Sequence, residues 1–203
     1  MRPRMRRWYA ALRQIGLCGI SFLAGCVAPQ ARPQPAQVGS VLAETSPAPA
    51  PTPVPPERWI LIRKAAHTLS LFEGEQLRRT YPVVLGKEPA GAKLYQGDHR
   101  TPEGEYHIVL KYFHPYWERF MALDYPTPLN WEVYGWSRNN GLLPVRGRGV
   151  PGIGGAIGIH GTEDESLNRR GINWTEGCIS LFNRDINELY DLLPIGTRVV
   201  IEP

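Results

Sequence analysis

Residues 27–57 limit what this chain can fold into, because nine of these 31 residues are proline. Proline has a fixed φ and no backbone N–H, and much of the remainder is Ala, Ser, Thr, Gln and Val. Such a segment cannot bury a core and is typical of a linker, with a reach on the order of 95 Å as extended polyproline II. The fold is therefore expected in residues 58–203, which are enough for one domain with a sizeable core.

The first 25 residues are typical of a bacterial signal peptide. Five arginines and no acidic residue precede a mostly apolar run at 15–24, which is too short to span a bilayer as a helix. Residues 23–26, Leu-Ala-Gly-Cys, resemble a lipoprotein processing box, so Cys26 is predicted to become the lipid-bearing N-terminus. Val27 follows instead of an aspartate, which by analogy with lipoprotein sorting favours the outer membrane. The alternative is soluble secretion.

The basic character of the chain belongs to this leader. The chain has 23 Lys+Arg and 19 Asp+Glu, and removing the five leader arginines leaves 18 against 19. The remaining arginines are scattered among acids, so no nucleic-acid partner is expected. The acidic turn at 163–165 has no histidines at ligand spacing, so neither a metal nor a cofactor is expected.

The pattern of residues 58–203 indicates mainly β structure. Short runs at 59–63, 68–72 and 77–84 are separated by turn residues and predict a meander, and runs at 105–112 and 197–201 predict further strands. We expect a mainly β, β-sandwich-like domain.

One short helix is predicted near the end of the chain. Asp185 and Glu188 have the spacing of a capping box, and the apolar residues that follow share one helical face. These residues are Ile186, Leu189, Tyr190 and Leu193. The helix is expected to stop near Pro194.

Cys178 is the only cysteine after Cys26. A lone thiol in an exported protein is either a buried apolar residue or a reactive nucleophile. Gly177 lets the backbone come close to a substrate, and His160 lies 18 positions upstream, next to Gly161. Because an imidazole within hydrogen-bond reach populates the thiolate, we predict Cys178 as nucleophile and His160 as general base.

These residues also carry a family resemblance. His160-Gly161, followed 18 positions after the histidine by Cys178 and then Ile-x-Leu, resembles the signature of the L,D-transpeptidase (YkuD-like) catalytic domain. Residues 97–106 resemble the family's Thr-Pro-x-Gly-x-aromatic element, and 59–86 resemble its opening strands. The resemblance spans roughly 58–202 and implies the same β-sandwich-like fold.

The resemblance implies how the site would work. The carbonyl of Gly161 would orient His160, as in the family. The oxyanion formed during acyl transfer needs N–H donors, and the backbone N–H groups of Gly177 and Cys178 are the candidates.

The motif departs from the family's commoner Ser/Thr-His-Gly-Cys-x-Arg form. Thr175 is kept, but Glu176 stands at the histidine position and Ser180 at the arginine position. Both changes remove cationic potential, and a nearby carboxylate opposes thiolate formation. We predict that all three residues bind substrate. Glu176 would hold an acceptor ammonium, orient a water or remain a solvated carboxylate, and Arg100 is a candidate to replace the missing arginine.

The resemblance implies an enzyme acting on peptidoglycan stem peptides, in which Cys178 attacks at the third residue, expels D-alanine and transfers the acyl group to an amine. A hydrolase of the same fold that cleaves wall-linked lipoprotein or stem peptides is the alternative. A non-catalytic wall-binding lipoprotein is the alternative of another class. The sequence does not distinguish a second stem, a protein lysine or water as acceptor.

Overall fold

The computed structural model describes residues 57–147 and 149–203. Within them no helix has the length and apolarity needed to cross a membrane. The predictions for the signal peptide, for Cys26 and for nearly all of the linker lie outside the described residues.

Eight strands form one sheet with the spatial order β3-β2-β1-β8-β4-β5-β6-β7. The strands are β1 (Arg58–Arg63), β2 (Thr68–Glu73), β3 (Gln76–Pro82), β4 (Gly104–His114), β5 (Glu118–Leu123), β6 (Gly158–His160), β7 (Ile179–Ser180) and β8 (Arg198–Glu202). The mainly β class is confirmed, and the predicted meander is the antiparallel β1-β2-β3 unit.

Strand β4 joins the two halves of the sheet. Its first residues, 104–107, pair with β8, and its residues from Ile108 onward pair with β5. An irregularity between Ile108 and Leu110 lies at the start of the pairing with β5, and a bulge of this kind bends a strand and increases its twist. The sheet therefore curls around one apolar core, which includes Ile60, Tyr106 and Ile159.

Helix α3 (Asn183–Leu192) is the predicted helix after the nucleophile. Its buried face is as predicted, with Ile186 and Leu189 fully buried. The predicted capping box is wrong, because the N-cap is Phe182, three residues before Asp185, and Phe182 makes no side-chain cap bond. Asp185 lies inside the helix, buried and paired with Arg184. The helix packs against β5 and β6, and β6 carries His160.

Two further helices lie before the nucleophile and were not predicted, α1 (Pro128–Asn139) and α2 (Glu165–Arg169). Helix α1 buries only Tyr134 and Ser137, so its sequence has little of the apolar periodicity that predicts a helix. Its start is specified locally: the Asn130 N–H donates to Thr127 Oγ1 at 3.4 Å, and Thr127 N–H donates to Asn130 Oδ1 at 2.9 Å. This reciprocal pair is a capping box.

Replacing Thr127 with alanine tests whether this cap holds α1. We expect a loss of about 1 kcal/mol in the free energy of unfolding, and a melting temperature lower by roughly 3 °C, because the Asn130 N–H loses its acceptor. Thermal and urea unfolding of the two proteins measure the effect. Thr127→Ser is the matched control, since it keeps the hydroxyl and should unfold within a few tenths of a kcal/mol of the wild type. Equal losses in both variants would contradict the cap.

Candidate active site

Cys178 and His160 lie on neighbouring strands. Strands β6 and β7 are parallel, with Ile159 opposite Ile179 and His160 opposite Ser180. Cys178 immediately precedes β7, so it is two residues from Ser180 and on the same face. The structure therefore brings Cys178 and His160 to one face of the sheet, which explains why 17 intervening residues do not separate them in space.

Both side chains line a cleft of about 480 Å³. Its aromatic wall consists of Tyr112, Trp117, Phe120 and Trp174. The loop at 155–157 and the turn residues Thr175 and Glu176 complete the lining. The cleft is thus mainly apolar, with a thiol, an imidazole and a carboxylate as its reactive groups.

The Cys178 thiol is held by the backbone of the loop beside it. Sγ lies 3.5 Å from the Ala156 carbonyl oxygen, to which it donates. Burial raises the pKa of the Cys178 thiol to about 11, against the opposing effects of the Gly158 N–H and of the Lys93 charge. The thiol is consequently protonated near pH 7 when the cleft holds no substrate.

His160 is 1% exposed and enclosed by aromatic rings. Trp117 stacks on it at a centroid distance of 4.5 Å, Phe120 stacks at 5.5 Å and Trp174 presents its edge at 5.7 Å. Burial lowers the pKa of His160 to about 4, so the imidazole is neutral near pH 7. Nδ1 donates to the Gly161 carbonyl at 2.7 Å. This leaves Nε2 as the nitrogen that can accept a proton.

The Gly161 carbonyl accepts a second hydrogen bond, from Ser180 Oγ at 3.0 Å. Asn168 Nδ2 donates to Ser180 Oγ at 3.1 Å, and Trp174 Nε1 donates to Asn168 Oδ1 at 3.0 Å. This chain runs from the cleft wall to the carbonyl that holds His160. Ser180 is fully buried and is not among the residues that line the cleft, so the structure does not bring it to the substrate as predicted. Sequence reasoning missed Asn168 altogether.

The backbone at Gly161 has no room for a side chain. A Cβ there would lie 2.4 Å from Asn183 Oδ1 and 2.8 Å from the Trp117 carbonyl oxygen. Asn183 Oδ1 accepts from the Thr162 N–H at 2.8 Å, which ties the segment after His160 to the start of α3. Close packing therefore fixes the direction of the Gly161 carbonyl.

In the turn before Cys178, the Thr175 hydroxyl forms hydrogen bonds with backbone groups of the same turn. It donates to the Cys178 carbonyl at 2.7 Å and accepts from the Gly177 N–H at 3.1 Å. Two predictions need correction here: the Thr175 hydroxyl is committed to the turn, and the Gly177 N–H is not free for an oxyanion. Among the hydrogen bonds of the described residues, the Cys178 N–H has no acceptor. Gly177 is required for another reason, a φ of +137° with the Arg100 carbonyl oxygen 2.7 Å from where a Cβ would be.

Glu176 lines the cleft with its carboxylate exposed. One of its oxygens pairs with Lys87 and the other with His99. The Lys87 hydrogen bond and the contacts with His99 hold the pKa of Glu176 below its usual value. The loss of cationic potential expected from the motif is thus partly offset by Lys87, which comes from another part of the chain. Both carboxylate oxygens already have partners, which weakens the hypothesis that Glu176 holds an acceptor ammonium.

The structure does not bring Arg100 to this cleft. Its guanidinium donates to the Ala92 carbonyl at 3.4 Å, and it lines a separate cavity with Asp98 and Leu143. Within the described residues there is no group of three or more His, Cys, Asp or Glu residues that could hold a metal ion.

The chain is similar to known proteins in sequence and in fold. Relatives by sequence include YqjB of Bacillus subtilis (strain 168), an L,D-transpeptidase by name, which is 29% identical over 152 residues and matches 73% of each chain. Among solved structures, the helical cell shape determining protein Pgp2 of Campylobacter jejuni has a TM-score of 0.52 at 24% identity, over 72% of this chain and 47% of that one. Bd1075 of Bdellovibrio bacteriovorus has a TM-score of 0.50 at 24% identity, over 72% and 48%.

The chain therefore spans about half the length of these two solved structures, which share its fold. The family model of the L,D-transpeptidase catalytic domain matches residues 57–201. Because this match covers nearly all of the described residues, the chain belongs to the L,D-transpeptidase catalytic domain family.

Proposed function

We propose that this protein is a peptidoglycan L,D-transpeptidase with Cys178 as nucleophile and His160 as general base. One observation carries the proposal: a neutral imidazole, anchored through Nδ1, shares an apolar cleft and a sheet face with a half-buried thiol. The substrate class is that of the family, peptidoglycan stem peptides.

The reaction begins from a neutral pair. As Sγ of Cys178 attacks the carbonyl carbon of the third stem residue, Nε2 of His160 takes the thiol proton, so no free thiolate accumulates. The carbonyl oxygen becomes an oxyanion, which accepts from the Cys178 N–H. The C–N bond then breaks, and the Nε2 proton goes to the departing nitrogen of D-alanine. The acyl group remains on sulfur as a thioester.

The second half of the reaction transfers the acyl group from Cys178 to the acceptor. An acceptor amine attacks the thioester carbon, Nε2 of His160 takes the amine proton, and the C–S bond breaks as the proton returns to sulfur. Water as acceptor would make the same site a hydrolase. An acceptor that packs against the apolar aromatic wall would exclude water from the cleft. This supports acyl transfer to an amine over hydrolysis.

We also propose that the protein is exported and anchored to a membrane. Cys26 would carry the lipid in the outer membrane, and residues 27–57 would let the catalytic domain reach the cell wall from the periplasmic face. Such a spacer suits a substrate that lies tens of ångströms from the anchor.

His160 acts as a base only if its Nδ1 keeps the proton and Nε2 faces the thiol. The Gly161 carbonyl selects this tautomer, and Ser180 orients that carbonyl. Ser180 is therefore a positioning residue, which acts on the substrate only through Gly161 and His160.

Mass spectrometry of defined tetrapeptide muropeptides tests the proposed function directly. With a lysine-bearing acceptor peptide present, the wild type should form dimers or acceptor adducts and release D-alanine, and Cys178→Ala should form none. Hydrolysed stems alone would assign a Cys178-dependent hydrolase instead. No product in any mixture would leave the wall-binding, non-catalytic protein as the better account.

The protonation state of the resting site is the second prediction. Thiolate absorbance near 240 nm, taken as wild type minus Cys178→Ser, should show no step between pH 5 and 8, because burial raises the pKa of Cys178 to about 11. The thiolate should form only as the pH rises above about 9. A step centred below pH 8 would mean that a preformed thiolate attacks, which contradicts the proton transfer described above.

Ser180→Ala tests the positioning role. Loss of one buried hydrogen bond of about 1 kcal/mol should lower kcat/KM roughly fivefold to tenfold, mainly through kcat. The NMR signal of the His160 Nδ1–H should broaden or shift. Ser70→Ala is the matched control, since Ser70 is also buried but bonds Thr80 between β2 and β3. If both variants lose stability alike and neither changes the imidazole signal, Ser180 has no positioning role.

A further inference from the structure

A second, smaller cavity of about 290 Å³ adjoins the active-site cleft. Gly155, Ile157 and Glu176 line both, so the two spaces share a wall next to Cys178. The remaining lining residues are Lys93, Gln96, Gly97 and Gly154. The proposed mechanism leaves this cavity without a role.

Lys93 is the cation of this cavity, and it is almost completely buried, with its side chain 4% exposed. Its ammonium donates to Asp98 Oδ1 at 2.7 Å and to the Tyr95 carbonyl at 3.1 Å. An ammonium group has three donors, and the third has no acceptor among the described residues. The Lys93 charge also helps to lower the pKa of Cys178, which indicates that the two groups are close.

The loop at 154–156, of which Gly154 and Gly155 line the cavity, offers backbone donors. Gly154 and Ala156 have φ values of +84° and +56°, and residues of this kind in a turn aim successive N–H groups into a concavity that binds anions. The N–H groups of Gly155 and Ala156 have no acceptor among the hydrogen bonds of the described residues, and both residues are exposed. The cavity is thus lined both by Lys93, with its buried ammonium, and by Gly155, whose N–H has no acceptor among the described residues.

We propose that this cavity, with Lys93 at its base, binds a carboxylate of the acyl donor, the terminal carboxylate of the residue that the reaction expels. This inference rests on the proposed function. It names the residue that holds a negatively charged substrate group, a role for which the sequence offered Arg100 as a candidate.

Covalent geometry fits this assignment. The terminal carboxylate carbon of the expelled residue is three bonds from the attacked carbonyl carbon, so the two are at most about 4 Å apart. A subsite for it must therefore open directly beside Cys178. The cavity of Lys93 meets this condition because it shares Gly155 and Ile157 with the cleft.

Charge also favours an anion here. Glu176 and Asp98 are the acids nearest to the cavity, and both are already paired: Glu176 with Lys87 and His99, and Asp98 with Lys93. Asp98 Oδ2 further accepts the N–H groups of Leu94 and Tyr95. Asp98 therefore positions Lys93 and the loop around it.

The experiment compares two donors, a tetrapeptide with a free C-terminal carboxylate and the same peptide with a C-terminal amide. For the wild type we expect kcat/KM for the acid to exceed that for the amide by roughly 10- to 100-fold, the effect of a charge-assisted hydrogen bond. In Lys93→Met/Asp98→Asn this preference should fall to near one, since the pair is removed together and no buried charge is left alone.

Lys64→Met/Glu103→Gln is the matched control. Lys64 is also buried and paired with an acid, and it bonds the Gly91 and Thr101 carbonyls, but it lines a different cavity. This variant should keep the wild-type preference for the acid even if its overall rate falls. A preference that is lost equally in both double variants would overturn the inference.

A measurement on the wild type alone covers the case in which a variant does not fold. D-Alanine should compete with the donor peptide for the cavity. The inhibition constant of D-alaninamide, which lacks the carboxylate, should be at least tenfold higher than that of D-alanine. Equal inhibition, or equal kcat/KM for the two donors, would overturn the carboxylate subsite while leaving the proposed function intact. No Cys178-dependent turnover of either donor would overturn both.

Discussion

The hydrogen bond from His160 Nδ1 to the Gly161 carbonyl is the interaction on which the rest of the site depends. Its acceptor is a neutral amide oxygen, so it selects the tautomer without adding the negative charge that would raise the imidazole pKa. In a cleft that already lowers the pKa of His160 to about 4, the result is a base that is free to accept a proton at any pH above about 5. A carboxylate in this place would favour the imidazolium instead.

The scaffold holds that carbonyl from three directions. Ser180 donates to it, the Gly161 N–H is bound to the Trp117 carbonyl at 2.9 Å, and Asn183 packs where a Cβ would be. These groups come from β7, from the turn before β5 and from the start of α3, so the curled sheet and the helix are both needed to place one backbone oxygen. These contacts hold the short strands β6 and β7 in position, since neither strand is long enough to be rigid alone.

The sequence predicted β1 to β4, β8 and the buried face of α3, because these depend on local periodicity, but it missed β5, β6 and β7. It also offered Cys178 and His160 as candidate reactive residues, from a lone cysteine near a histidine. It did not predict the roles of Ser180 and Thr175, since a sequence does not show whether a hydroxyl binds substrate or donates to a backbone carbonyl. Asn168 was missed because its partners, Ser180 and Trp174, are contacts of tertiary structure. Helix α1 was missed because it is mostly exposed.

The electrostatics of the cleft show why a motif alone is an incomplete guide. The residues at 176 and 180 lack the family's cationic side chains, yet the segment at 87–99 brings Lys87, His99 and Lys93 to the same region. Lys87 and His99 bind the Glu176 carboxylate, while the charge of Lys93 helps to lower the pKa of Cys178. Cationic groups from a different loop can therefore serve the same thiol, because what matters to a forming thiolate or a bound carboxylate is the distance and burial of the charge, not its position in the chain.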